Sequence, residues 1–559
     1  MTEIFTGGEI VTLDPTRPEA EAVAVRDGVI VGINDTQTLW GENVNATEVN
    51  IAGGCLIPSL IDHHLHLTAI GLALLNQQEN ERLFLQLAGA SSSSAIVDRV
   101  RNRATQVPKG DWILGMGWNQ HDWGTHEFPS HEELSDAVPN HPVFLVRIDA
   151  HSAWVNQTAL ARAEITGGTP APMGGVIERA ANGAPTGMLL ERAVEPILEQ
   201  IPVAAGWEIR EAFKLASKAL AKRGVTEVFD AGFMASPAIV SMGVDFELML
   251  ELLTWADAED PLPIDVNLMI PSPSKLADKI VGSPGAYAHL SPRIRVTHIK
   301  LYADGAFGSR GAALSHPYAD DPNTAGLMRM TDDELEFETR RALEAGLDIS
   351  THAIGDDAVR RVLRAYTRVA DDLSDVDPRR FRIEHFGYSS LGDQRIAAER
   401  GFLVVTQPNF IDPDNNGDTM EDCRLGTENG ERVYPWRTLS EAGANLAISS
   451  DYYTSPGPAL LDFYTAHTRA NRAGMPSGGW QPNNRLTREE SLRIATSLCP
   501  NGGGIPSGGI IRVGVPANLA VLSANPLTTN ESDLLSIGVQ RTLRRGKVTH
   551  RAESAHTSE

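Results

Sequence analysis

The chain has 559 residues, of which 42% are hydrophobic and 21% charged, and its formal net charge is -24. This length exceeds what one simple core requires, so we expect two or three domains. Nucleic acids and anionic membrane surfaces attract basic patches, and the strongly negative charge therefore argues against both as partners. The sequence also contains no run of about 18 apolar residues, the length that a membrane-spanning helix needs.

The cysteines and the first residues bear on the compartment. Three scattered cysteines, Cys55, Cys423 and Cys499, form neither a disulfide framework nor a cysteine-rich zinc module. The first residues lack the basic and then apolar pattern of a signal peptide. Both features favour a cytoplasmic protein.

The two ends of the chain share a β-rich pattern. Residues 9–13 and 22–25 are rich in residues that favour β-strands. Asp27-Gly28 is typical of a hairpin turn and precedes a further predicted strand. Similar runs recur at 517–522 and 539–543. We therefore expect a composite β-sandwich domain built from residues 1–57 and 508–559.

The middle of the chain alternates strands and helices. The sequence predicts helices over about 331–345, opened by a Thr331 to Glu334 capping box, and over 357–373. Predicted strands occupy 55–61, 295–302, 347–352, 381–385, 402–407 and 445–450. This order is typical of βαβ units, and we expect an α/β fold with a (β/α)8 barrel formed by 58–75 and 216–507. Residues 76–215 are too long for one crossover and are expected to be an inserted subdomain near the active site; the alternative is an insertion with its own small core and no part in the site.

The segment Asp62-His63-His64-Leu65-His66 is the most informative motif. It follows an apolar run that reads as a buried strand, so Asp62, His64 and His66 share one strand face. Two imidazoles on one face can bind the same divalent cation, because histidine is the commonest ligand for such metals. The alternative is a solvated histidine cluster at a strand end.

Other predicted strands end in residues of the same chemistry. In a barrel, the carboxyl ends of the strands meet at one rim, where the active site lies. We therefore expect a metal centre there, formed by His64, His66, Lys300, His352, His385 and Asp451.

At this point the chain resembles the amidohydrolase superfamily and, within it, amidohydrolase family 3. The resemblance rests on the motif Ile61-Asp62-His63-His64-Leu65-His66 and on four further segments spread over nearly the whole chain. These are Ile299-Lys300-Leu301-Tyr302-Ala303-Asp304-Gly305, Thr351-His352-Ala353-Ile354-Gly355-Asp356, Arg382-Ile383-Glu384-His385 and Ser449-Ser450-Asp451.

The resemblance implies a role for each of these side chains. His64 and His66 would bind one metal, and His352 and His385 would bind a second metal or complete a single site. Lys300 would be carboxylated and bridge two cations; the alternative is an unmodified lysine that pairs with Asp304 or a substrate carboxylate. Asp451 would be the general base and would pass the proton to the leaving nitrogen.

A further set of residues is expected to line the substrate pocket, with packing or loop hydrogen bonding as the alternative for each. Among them, Arg310 could hold a substrate carboxylate as a bidentate fork. The set comprises His151, Trp118, Arg310, Gln407 and Tyr453.

Together these features predict a metal-dependent hydrolase that uses one or two Zn2+ ions to cleave a C–N bond in an amide, N-formyl or N-acyl group. Two alternatives remain open: a deaminase or ester/lactone hydrolase on the same barrel, and a non-catalytic metal-binding homologue. The expected partner is a small-molecule substrate, and the resemblance is consistent with a homodimer.

Overall fold

The computed structural model describes residues 1–123, 127–201, 206–232, 246–373, 375–413, 417–452, 457, 460–496 and 509–553.

Eight parallel strands form the central barrel, and we number them β1 to β8. Their bounds are Leu60–Leu65, Val225–Asp230, Asp265–Pro271, Ile294–Tyr302, Asp348–Ala353, Phe381–His385, Leu403–Thr406 and Asn445–Ile448. Neighbours in this order pair in parallel. The two edges meet just beyond β8, where Asp451 N donates to His64 O and His66 N donates to Tyr452 O, both at 2.8 Å. The predicted (β/α)8 barrel is thus confirmed.

Helices cover the outside of the barrel. The predicted capping box is present: the Thr331 side chain accepts from Glu334 N, and Glu334 reaches back to the Thr331 backbone. This cap fixes the start of the helix that follows β4. The helices around the barrel are Leu67–Gln78, Gly206–Ala221, Phe246–Glu259, Lys275–Gly282, Pro284–Tyr287, Asp332–Glu344, Asp356–Asp372, Leu391–Arg400, Met420–Leu425, Trp436–Glu441, Leu460–Thr468 and Arg488–Thr496.

Both ends of the chain contribute to one β domain, as expected. Its four-stranded sheet has the order Val29–Asn34, Ala22–Arg26, Thr2–Thr6, Thr47–Asn50, and the helix Thr36–Glu42 lies beside it. Its six-stranded sheet has the order Lys547–Arg551, Val539–Arg544, Leu519–Leu522, Cys55–Pro58, Glu9–Asp14, Arg17–Glu19. Leu519–Leu522 pairs with Cys55–Pro58, so strands from the two ends are direct neighbours.

The inserted subdomain carries a six-stranded mixed sheet. Its strand order is Gly175–Arg179, Pro185–Glu191, Ser152–Val155, Val143–Arg147, Ile113–Trp118, Leu85–Gln86. The helices Ser93–Ala104, Glu132–Ala137, Gln157–Arg162 and Glu195–Leu198 accompany it. The residue boundaries of the three units stay predictions.

Among the helices of the described residues, none is long and apolar enough to cross a membrane.

Candidate active site

The six residues expected at the metal centre all emerge at the carboxyl end of the barrel. They come from or directly follow β1, β4, β5, β6 and β8, and each is at least nine-tenths buried. These residues are His64, His66, Lys300, His352, His385 and Asp451. Burial at one rim brings together groups that lie far apart in the sequence.

His64, His385 and Asp451 form the tightest group. One ligand atom of each lies within 4.8 Å of the corresponding atoms of the other two. His66 Nε2 lies 3.0 Å and His64 Nε2 lies 3.6 Å from Asp451 Oδ1. Imidazole nitrogens with one carboxylate oxygen are a ligand set suited to zinc and related divalent cations. The side chains present therefore fit a metal.

Two of these imidazoles are held by their other nitrogen. His64 Nδ1 lies 2.6 Å from Glu384 Oε2, and His385 Nδ1 lies 2.8 Å from Gln407 Oε1. Because Nδ1 is engaged in both rings, Nε2 is the nitrogen left for the cluster.

Glu384 is anchored in turn. Its carboxylate accepts from Ser350 Oγ at 2.7 Å and from the buried guanidinium of Arg382. Sequence reasoning missed this role, although Arg382, Glu384 and His64 all belong to the quoted motifs. The available signal was the spacing of Arg382 and Glu384, two residues apart on one face of β6.

His352 lies next to His385, so that His66, His64, His385 and His352 form a row of neighbouring rings. Its ring centroid lies 4.5 Å from that of His385, and its Nε2 lies 3.2 Å from Gly305 O. The neighbouring Asp304 accepts hydrogen bonds from the backbone N–H groups of Ile354 and Gly355.

Lys300 is fully buried beside this row, and its Nζ has no hydrogen-bond partner among the described residues. The alternative of a Lys300–Asp304 pair is therefore not what the structure forms. Burial lowers the pKa of Lys300 to about 8, so a neutral amine is accessible near physiological pH.

The protonation states of the cluster suit cation binding. Burial, reinforced by the charge of His64, lowers the pKa of His385 to about 3. Burial also opposes ionisation of Asp451, but the adjacent His64 and His66 outweigh it and lower the pKa of that carboxyl. His385 is thus favoured as a neutral imidazole and Asp451 as a carboxylate, the forms in which these groups bind metals.

Two of the expected pocket residues lie at the site. The His151 ring centroid is 5.2 Å from that of His352, and His151 lines a cavity of about 240 Å3 between the insert and the barrel. Gln407 is fully buried and does not line this cavity: its Oε1 contacts His385 Nδ1, and its Nε2 donates to Ser449 Oγ at 2.8 Å.

Trp118 and Arg310 are not brought to the cavity. Trp118 is fully buried in the core of the insert, and its Nε1 donates to Leu145 O, because the indole packs against Trp123 and Trp154. The Arg310 guanidinium already forks onto Asp320, with N–O distances of 3.2 and 2.9 Å. A substrate carboxylate would have to compete with Asp320. Tyr453 lies outside the described residues.

Comparisons with known proteins agree with this geometry. Residues 47–550 match the amidohydrolase family, and the chain belongs to this family. It is 29% identical to YtcJ of Bacillus subtilis (strain 168), a protein with an amidohydrolase name, over 98% of this chain and 99% of YtcJ. It is 25% identical to the N-substituted formamide deformylase of Arthrobacter pascens over 95% of both chains.

A solved structure shares the architecture. An uncharacterized metal-dependent hydrolase from Pyrococcus furiosus superposes with a TM-score of 0.67 at 25% identity, covering 94% of this chain and 100% of that one. The family and the site together define a hydrolase of the metal-dependent amidohydrolase type that acts on a small molecule.

Proposed function

We propose that this protein hydrolyses a C–N bond other than a peptide bond, in an amide, N-formyl or N-acyl group, with one or two bound zinc ions. The observation that carries the proposal is the buried His64, His385 and Asp451 cluster at the catalytic end of the barrel. The similarity to an N-substituted formamide deformylase supports the choice of bond.

In this proposal the histidines bind the metal and Asp451 transfers the proton. His64, His66, His352 and His385 would hold the cation through ring nitrogens. When bound, a divalent cation supplies Lewis acidity, which lowers the pKa of water and polarises a carbonyl group. An Asp451 carboxylate oxygen accepts the proton of the attacking water and returns it to the leaving nitrogen. Its lowered pKa keeps this group ionised and ready to accept.

Lys300 is proposed to carry a carbamate formed with carbon dioxide. Three features support this: complete burial, a pKa near 8 and an Nζ without a hydrogen-bond partner among the described residues. Elemental analysis of protein purified without a His tag tests it. About two zinc ions per chain, falling to about one in Lys300→Ala, is expected for a bridging ligand. An unchanged metal content in Lys300→Ala would remove Lys300 from the ligand set.

Replacement of Asp451 tests the mechanism. Asp451→Asn keeps the shape of the side chain but cannot accept the proton, so we expect the metal to stay bound and turnover to fall at least about 100-fold. Asp98→Asn, an exposed aspartate with 68% side-chain exposure, is the matched control. An Asp451→Asn protein with full activity would contradict the assignment.

A panel of candidate substrates, assayed with the metal-loaded protein, distinguishes the possible reaction classes. N-formyl and N-acyl amines should release formate or carboxylate. Ammonia release from purines or pyrimidines would instead indicate a deaminase, and turnover of esters or lactones alone would indicate an esterase. Inactivity of the metal-replete protein on every class would favour the non-catalytic alternative.

A further inference from the structure

The cavity between the insert and the barrel opens beside the candidate metal centre. His151 and Tyr302 line it, and their ring centroids lie 5.2 and 6.0 Å from that of His352. The His352 ring in turn lies 4.5 Å from that of His385. The His352 ring therefore links the cavity wall to the cluster.

Glu191 fixes the orientation of His151. Both Glu191 carboxylate oxygens lie 3.0 Å from His151 Nδ1, and Arg329 Nη1 donates to Glu191 Oε2 at 2.9 Å. Because a carboxylate faces Nδ1, that nitrogen carries the proton, and Nε2 is the nitrogen available to a ligand. His151 Nε2 forms no hydrogen bond with a described residue.

The backbone at Glu191 is held in an uncommon conformation. Its φ is 53° and its ψ is -129°, a region that favours glycine. The carboxylate lies against Gly305 and Gly311, where an added Cβ would be 2.0 and 2.7 Å from Oε1. The backbone conformation of Glu191 and the absence of side chains at the two glycines together allow the Glu191 carboxylate to lie beside His151.

The lining of the cavity restricts its occupant. About 240 Å3 is below the range of roughly 300–1,000 Å3 typical of ligand pockets. The walls are partly apolar, with Met173, Leu198 and Met330 among them. The charged lining comprises four carboxylates and two guanidiniums: Glu191, Glu195, Glu334, Glu338, Arg192 and Arg329. Ion pairs engage Glu191 with Arg329, Glu195 with Arg192, and Glu338 with Arg341 beside the cavity, so the excess negative charge of the lining is that of Glu334.

We propose that His151, positioned by Glu191 and Arg329, hydrogen-bonds the substrate, and that this cavity receives a compact N-substituent that is neutral or cationic and not anionic. The inference rests on the proposed function for the identity of the scissile bond. The charge preference and the role of His151 rest on the cavity alone.

Three formamides of similar size test the charge preference: N-propylformamide, N-(3-aminopropyl)formamide and N-formyl-β-alanine. Their Kd values are measured on the metal-loaded Asp451→Asn protein, in which turnover is too slow to consume the ligand during a titration. We expect calorimetric titration to give the first two Kd values at least about tenfold lower than the third, because the cavity is net negative. Equal or tighter binding of the anionic compound, or binding of none of the three, would overturn the inference.

Formate release by the native holoprotein, measured with the same three compounds, distinguishes the two proposals. The expected charge preference without formate release would leave the cavity assignment standing and remove the proposed function. Formate release with the anionic compound preferred would do the reverse.

A double-mutant cycle tests the positioning role. Glu191→Gln and His151→Asn should each raise the Kd of N-propylformamide about tenfold, and the double variant should be no worse, because both changes remove one contact. Metal content should stay at the native level. Glu199→Gln, on an exposed residue that does not line the cavity, is the control. Additive effects would overturn the role of Glu191, and a native Kd in His151→Asn would overturn that of His151. If these variants fail to fold, the formamide series still decides the charge preference.

Discussion

Glu384 determines how His64 faces the cluster. Its Oε2 lies 2.6 Å from His64 Nδ1, and both side chains are buried. A carboxylate behind a ligand histidine fixes its ring and raises its basicity. In Glu384→Gln, the amide cannot supply the negative charge, so we expect the affinity for zinc to fall about 10–100-fold, as measured by competition with a chelator.

A second buried glutamate provides the control for this variant. Glu421 is 2% exposed and accepts from Tyr434 Oη at 2.9 Å, away from the cluster. Glu421→Gln should bind zinc as the native protein does. If Glu384→Gln also binds zinc with native affinity, Glu384 does not orient a ligand.

At the level of single residues, the sequence predicts the positions of side chains at strand ends better than those of the residues that hydrogen-bond to them. His64, His352 and His385 follow apolar runs, so their common rim could be predicted. Glu191 could not, because it lies in the insert and its ion-pair partner Arg329 is 138 positions away in the sequence. Arg310 and Trp118 show the opposite case. Their residue types suit a substrate pocket, but in the fold Arg310 pairs with Asp320 and Trp118 packs against other tryptophans.

The helix Leu67–Gln78 begins directly after His66 and packs closely on Gly206–Ala221. The contact depends on Gly71, where an added Cβ would lie 2.0 Å from Ala212 O. Backbone cannot move aside as a flexible side chain can, so Gly71→Ala must push the helices apart. We expect a loss of about 1–3 kcal/mol in the free energy of unfolding, seen as a lower thermal midpoint.

Gly282→Ala is the matched control for this contact. Gly282 ends the helix Lys275–Gly282, and an added Cβ there would meet nothing within 4 Å. Its thermal midpoint should equal or slightly exceed the native value, since alanine is the better helix former. Equal midpoints for both variants would show that the helix pair tolerates the methyl group.

At the level of elements, the clearest predictions came from strong local signals. β6 has the predicted bounds, and the helix after β4 starts at its predicted cap. The sequence pattern does not identify β2 and β3 individually. Each carries a buried polar residue that interrupts the apolar run, Glu227 and Asn267, and these two satisfy one another by a 2.8 Å hydrogen bond.

Contacts between the units of the molecule have no local signal at all. Arg544, near the end of the chain, forks onto Asp265 at the start of β3, with Nε 2.9 Å from Oδ2. This ion pair joins the terminal β domain to the end of the barrel where the strands begin, here called the barrel floor. The two residues are 279 positions apart in the sequence. Asp265 also lies beside Glu227, so the join between the two units contains a buried acid.

Glu227 therefore makes the stability of the whole molecule depend on pH. Burial, reinforced by the charge of Asp265, raises the pKa of Glu227 from 4.5 to about 7. Between these values the folded protein holds a proton that the unfolded chain releases, so stability falls as pH rises from about 4.5 to 7. Glutamine mimics the protonated acid. Glu227→Gln should thus be stabilised relative to the native protein at pH 8, by up to about 3 kcal/mol, and much less at pH 5.

Thermal midpoints at the two pH values measure this difference, and Glu490 provides a control of opposite sign. Hydrogen bonds from Arg437 and Thr487 outweigh burial and lower the pKa of Glu490 to about 2. Its contribution is complete above about 4.5 and is lost only as pH falls through 2, so Glu490→Gln should lower the midpoint equally at pH 5 and pH 8. If the midpoint of Glu227→Gln differs from the native value by the same amount at both pH values, Glu227 is ionised in the folded protein at pH 5. The barrel floor would then accommodate its charge through Arg544 or Arg295.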